Sequence, residues 1–103
     1  MAINHYSKVT ATGAVSSNAC VISGMLIGTD GSNDPVVTVY DNTTNTNEVI
    51  PTTTYDASVL GLNGVTLPKD GVKCQTGIYV EITCAGSVEV LIYYSTKHGL
   101  EGL

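Results

Sequence analysis

The stretch Gly77-Ile78-Tyr79-Val80-Glu81-Ile82-Thr83-Cys84-Ala85-Gly86-Ser87-Val88-Glu89-Val90-Leu91-Ile92-Tyr93-Tyr94 decides the fold class. Ile78, Val80, Ile82 and Cys84 fall on one face of an extended chain, with Tyr79, Glu81 and Thr83 on the other. After Ala85-Gly86-Ser87 the alternation resumes, with Val88, Val90, Ile92 and Tyr94 against Glu89, Leu91 and Tyr93. Period-two patterning in β-branched and aromatic residues around a glycine-containing gap predicts an antiparallel hairpin. Opposed residues on antiparallel strands share a face, so an odd loop is needed to match the apolar sets. A loop at Ala85-Gly86-Ser87 pairs Cys84 with Val88, Ile82 with Val90, Val80 with Ile92, and Ile78 with Tyr94. The outer face then sets Thr83 against Glu89, Glu81 against Leu91 and Tyr79 against Tyr93. Two tyrosines and a leucine on a solvent face predict a subunit contact at Tyr79, Leu91 and Tyr93, because monomers seldom leave such a patch in water.

Composition agrees with this reading. Thr, Val, Gly, Ser and Asn dominate, helix formers are scarce, and no stretch shows apolar residues at helical spacing over three turns. An all-β domain follows, one antiparallel β-sandwich or jelly-roll in a chain of 103 residues. Phe and Trp are absent, so Val, Ile, Leu and Tyr must fill the core.

Net charge is −5 and arginine is missing, which argues against nucleic acid as a partner. The lysines, Lys8, Lys69, Lys73 and Lys97, form no patch along the chain. The longest apolar run, 19 to 28, is too short for a membrane helix. It also lacks a cleavage signal, so synthesis in the cytosol is expected. Cys20, Cys74 and Cys84 are odd in number and match no zinc spacing. Buried, reduced thiols are the simplest reading, with a Cys20–Cys74 or Cys74–Cys84 disulfide as the alternative.

Residues 1–17 are polar and weakly patterned: Val9 and Val15 fit a short edge strand or a mobile arm. From 18 to 28 the chain reads as a buried strand, with Gly24 marking a bulge or bend. Thr29 to Pro35 is a turn cluster. Asp30, Ser32 and Asp34 carry the one-three-five spacing of a calcium loop and Asp41 its twelfth place, but Pro35 occupies the position that needs glycine. Turn chemistry explains these residues without a metal. Strands are predicted over 36–42 and 48–56, the second demoted to an edge or bulged strand by Pro51. Leu60 to Leu67 around Asn63-Gly64 reads as a tight hairpin pairing Leu62 with Val65 and Leu60 with Leu67. Val72 to Gln75 leads into the final strands, and 96–103 is a short tail. The domain proper spans 18–95.

A catalyst needs a nucleophile with a base, paired carboxylates or a metal cluster. His5 and His98 stand near opposite ends and read as solvated tail histidines. Glu81 and Glu89 read as solubilising charges. No phosphate loop, Gly-x-Ser-x-Gly or His-Glu-x-x-His occurs. A non-enzymatic protein with no cofactor is expected.

The runs from Thr29 to Asn42, Tyr55 to Ser58, Gly61 to Gly64, Val72 to Cys74, Gly77 to Ile82 and Val88 to Tyr94 together resemble small all-β virion proteins of tailed bacteriophages. The resemblance spans about residues 18 to 95 and is one of strands and turns rather than of a diagnostic motif. It implies a capsid cement (decoration) protein, a homo-oligomer with a trimer favoured, located on the virion and bound to the major capsid protein or another virion protein. A neck or tail component is the alternative within that class. Partner-contact arms are expected at Ile3 and Tyr6 and at His98, Leu100 and Leu103. From another class comes a carbohydrate-binding module, with Tyr79, Tyr93 and Tyr40 as its stacking platform.

Overall fold

The computed structural model describes residues 4–58 and 62–96, and among them there are nine strands and no helix. They are β1 (Asn4–Val9), β2 (Gly13–Ser16), β3 (Cys20–Thr29), β4 (Val36–Tyr40), β5 (Glu48–Thr54), β6 (Leu62–Gly64), β7 (Val72–Cys74), β8 (Ile78–Thr83) and β9 (Val88–Thr96). One sheet runs β1-β9-β3-β6, with β7 also on β3; the other runs β2-β8-β4-β5. All pairings are antiparallel, so the chain is an all-β sandwich.

The face assignments in the deciding stretch hold. Ile78, Val80, Val90 and Ile92 are fully buried, and Val88 nearly so. The predicted hairpin does not form. β8 bonds to β2 and β4 in one sheet, whereas β9 bonds to β1 and β3 in the other. Residues 84–87 therefore carry the chain across the sandwich as an arch. The apolar sets meet inside the core between the sheets rather than side by side within one. Gly86 sits where the arch closes on the turn after β3: a Cβ there would run into Asp30 Oδ2 and Asn33 Nδ2.

β3 is the long central strand. Its inner face presents Cys20, Ile22, Met25 and Ile27, each at most 2% exposed. The jump from Ile22 to Met25 breaks strict alternation, and the ladder with β9 shifts register between Ile22 and Gly24. This is the bulge that Gly24 signals. On the opposite edge of β3, β6 covers Leu26–Gly28 and β7 covers Cys20–Ile22, with the Val65 amide bonded to the Met25 carbonyl between them (3.0 Å). The Asn63-Gly64 hairpin is thus replaced by pairing with β3. Gly64 lacks the positive φ that a type I′ turn requires, and it faces Leu26 instead.

β4 and β5 form a true hairpin, with β5 at the sheet edge and register shifts along it. Pro51 donates no amide, which suits an edge. The loop closes with the Asp41 amide on the Asn47 carbonyl (2.8 Å), and Asn47 takes the left-handed φ of 72° that its side chain tolerates. The N-terminal segment is no arm over its described part. β1 and β2 are edge strands, one for each sheet, and Thr12 extends the second by exchanging bonds with the Ile82 amide (2.9 Å) and carbonyl (3.2 Å). His5 is therefore a strand residue, with its ring stacked 5.4 Å from that of Tyr94.

Candidate interaction face on the outer sheet

Buried Val90 and Ile92 force Glu89, Leu91 and Tyr93 to the outside of their sheet. Register places Tyr6 beside Tyr93 and Lys8 beside Leu91 on the β1 side. On the β3 side stand Gly24 beside Tyr93 and Leu26 beside Leu91. With no side chain at Gly24, the Tyr93 ring lies down over β3, 3.5 Å from where a Cβ would be. The Ser23 hydroxyl donates to the Tyr93 carbonyl (3.2 Å) and so fixes the bulge beneath it.

The result is an aromatic pair on the outer face of the sheet. Tyr6 is 69% exposed and Tyr93 38%, the two large apolar side chains with high exposure among the described residues. Their ring centroids are 6.3 Å apart with planes 37° from parallel. Leu26 and Leu91 beside them are half-buried. Lys8 and Glu89 form an exposed ion pair at 3.8 Å along the same face. Beyond Glu89 lies a shallow depression of about 270 Å³ lined by Gly28, Thr29, Ser87, Val88 and Glu89. Its one titratable wall is already paired with Lys8.

The contiguous patch of Tyr79, Leu91 and Tyr93 does not exist, because the hairpin that would assemble it does not form. Leu91 and Tyr93 belong to one sheet and Tyr79 to the other. On that second sheet Tyr79 packs against Tyr40, centroids 6.1 Å apart, and the Tyr40 hydroxyl donates to Glu81 Oε1 (3.1 Å). Burial and then the Glu81 carboxylate push the Tyr40 phenol up. Tyr40 is 7% exposed, so the platform of Tyr40, Tyr79 and Tyr93 is split as well. Of the expected arm residues, Tyr6 is on β1; Ile3, His98, Leu100 and Leu103 lie outside the described residues.

Tyr6 is the residue that sequence reading misplaced. Its alternation with Lys8 against Ser7 and Val9 is the available signal, but the polar and small residues around them hide it.

The carboxylates serve the fold. Asp30 Oδ1 accepts the Ser32 and Asn33 amides (2.8 Å each), and its Oδ2 accepts Asn33 Nδ2 (2.8 Å). The Asn33 side chain, then the Asn33 and Ser32 amides, hold its carboxyl down to about 2. Asp34 Oδ1 accepts the Ala57 amide (2.8 Å). Asp41, only 8% exposed, accepts the amides of Gln75 (2.9 Å), Thr76 (2.8 Å) and Gly77 (3.3 Å). Burial alone would push its carboxyl up; the amides of Thr76, Gln75 and Gly77 outweigh that and leave it lowered. Gly77 must be glycine to reach it, since a Cβ would run into the Ser16 carbonyl oxygen. The residues with calcium-loop spacing thus diverge: Asp30 closes its own turn, Asp34 holds the segment after β5, and Asp41 holds the β7–β8 turn. Among the described residues, no group of three His, Cys, Asp or Glu side chains is placed to share a metal ion.

The thiols are free. Cys20 and Cys74 oppose each other across β3 and β7, both buried, and Cys84 lies in the arch with its sulfur 3.7 Å from the Asn33 carbonyl oxygen.

Comparison of the chain with protein-family models, with curated proteins and with solved structures finds no match.

Proposed function

We propose that this chain is a non-enzymatic structural protein that works by surface contact, in its most specific form a capsid cement protein of a tailed-phage virion. The observation that carries the contact reading is the exposed Tyr6–Tyr93 pair on the outer face of β1, β9 and β3. Tyrosine offers a large contact area at low conformational cost and concentrates at the centres of interfaces. The phage setting rests on the sequence resemblance described above.

A cement protein need not bind tightly as a single copy. Several weak contacts joined in one oligomer become strong through effective concentration, provided their geometry matches the lattice. Binding only the native state, the shell and the protein stabilise each other, and decorated shells should melt higher than bare ones. The experiment is to count copies per purified particle and to add recombinant protein to stripped shells. A copy number in the hundreds with a raised shell melting temperature supports cement. A dozen copies or fewer moves the protein to the neck or tail, and none removes the virion reading.

The same face sets the oligomer prediction. Light scattering should give a mass near three chains, the trimer being favoured by the resemblance alone. Tyr6→Asp with Tyr93→Asp should reduce that mass to one chain that still folds, because both side chains point away from the core. An unchanged mass in the double variant refutes the face, and a monomeric wild type refutes the oligomer.

A second reading, carbohydrate binding, is favoured by the Tyr6–Tyr93 rings standing side by side beside Lys8 and Glu89. In that case a glycan array gives a hit that Tyr93→Ala abolishes.

A further inference from the structure

We propose that Cys20 and Cys74 form a latent cross-strand disulfide site, closed by a two-electron oxidant of the peroxide class. Nothing in this proposal depends on the contact face or on the virion reading.

The geometry begins with register. Cys20 is directly opposite Cys74 in the antiparallel β3–β7 ladder, followed by Val21 opposite Lys73 and Ile22 opposite Val72. Directly opposed residues in such a ladder have Cα atoms about 4.5 to 5.5 Å apart and side chains on one face. A disulfide accepts Cα separations of about 4.4 to 6.8 Å. The pair therefore spans the bond without a shift of either strand. Both residues are 2% exposed and point into the core, and the Cys74 thiol donates to the Val72 carbonyl (3.9 Å). Cys84 is held elsewhere, against the Asn33 carbonyl in the arch. The odd count thus resolves into a matched pair and a single thiol.

The chemistry is symmetric in the two sulfurs and is written with Cys20 attacking and Cys74 resolving. In the first step the Cys20 sulfur attacks one peroxide oxygen; an S–O bond forms, the O–O bond breaks, and hydroxide leaves to take up the proton lost by Cys20. In the second the Cys74 sulfur attacks the sulfenic sulfur of Cys20. The S–S bond forms, the S–O bond breaks, and the departing oxygen leaves as water with the Cys74 proton. Two thiols and one hydrogen peroxide thus give one disulfide and two waters.

Access follows from the topology. β7 is three residues long and, among the described residues, bonds only to β3, so it is among the easier strands to open. Once formed, the bond fastens this weak strand to the longest strand of the sandwich. It also joins the ends of a loop that includes about half the chain, which restricts the unfolded ensemble strongly.

The test uses the reduced full-length protein and hydrogen peroxide. Intact mass should fall by about 2 Da, the two hydrogens lost per disulfide. Peptide mapping without reductant should join the Cys20 and Cys74 peptides. The melting temperature should rise by about 10 °C and return on reduction. Cys84→Ser should leave all three results unchanged, and Cys74→Ser should abolish them. Should Cys74→Ser fail to fold, the peptide map of the wild type alone decides. A bridge through Cys84, or oxygen addition with no loss of two hydrogens, overturns the proposal.

Discussion

Ile92→Ala should lower the unfolding free energy by about 2–5 kcal/mol, and Leu91→Ala, one position away, by only about 1 kcal/mol. Ile92 is wholly buried on the inner face of β9, between Ser7 on β1 and Met25 on β3. Deleting its side chain loses the transfer free energy of three carbons and leaves a cavity in a close-packed core of Ile, Val, Met and Cys side chains. Leu91 is half-buried on the outer face, where water fills the space that alanine leaves. Ile82 should fall between them, since it points inward but sits half-exposed at the arch end of β8. Urea titrations of the three variants measure this directly. Equal costs at Leu91 and Ile92 would mean that the faces of β9 are wrongly assigned.

Why parity was legible and pairing was not follows from the same residues. Alternation at Ile78, Val80 and Ile82, and again at Val88, Val90 and Ile92, fixes which side chains go inward. It does not say whether two inward sets lie in one sheet or face each other from two sheets. Both arrangements bury the same atoms, and a three-residue gap fits both. What decides is the rest of the chain. β3 offers nine paired positions to β9 and β4 offers five to β8, including Val39 opposite Val80 and Ile27 opposite Val90. The arch has its own support, because Gly86 lets it close on the Asp30–Asn33 turn. The β4–β5 hairpin was readable for a local reason: a polar loop separates two strands, and Pro51 requires the second to lie at an edge.

The interaction face was legible only on β9. Leu91 and Tyr93 are outward by parity whichever strand lies beside them. Their neighbours depend on topology, and topology replaces Tyr79 with Tyr6 and Leu26. The bulge at Gly24 was visible as a lone glycine in an apolar run, although nothing local showed that it makes room for the Tyr93 ring. Asp41 was legible only as the twelfth place of a calcium-loop spacing, at the end of the strand predicted over 36–42. Its real partners lie more than thirty residues further along the chain.

Asp41→Asn should cost about 2–3 kcal/mol near neutral pH, and Asp41→Ala somewhat more, because a hydrogen-bonded charge is removed from a nearly buried site. Three amides converge on this carboxylate, two on Oδ1 and one on Oδ2. Asparagine keeps one oxygen, but its NH₂ group then faces an amide donor. Alanine leaves all three amides without an acceptor at the turn that positions β8. The pH dependence has a definite sign. The folded carboxyl titrates below the ordinary unfolded value of about 3.9, so its contribution is fully present above that value and is lost as pH falls through the lower folded one. Asp30, whose carboxyl is also lowered, is present in both wild type and Asp41→Asn, so it drops out of their difference. Urea titrations of the two proteins should therefore differ most near neutral pH and converge as the solution is taken into the acid range. A difference that stays constant down to about pH 2, well below the ordinary carboxyl value, would mean that the charge on Asp41 does not hold the β7–β8 turn and that its shape alone suffices.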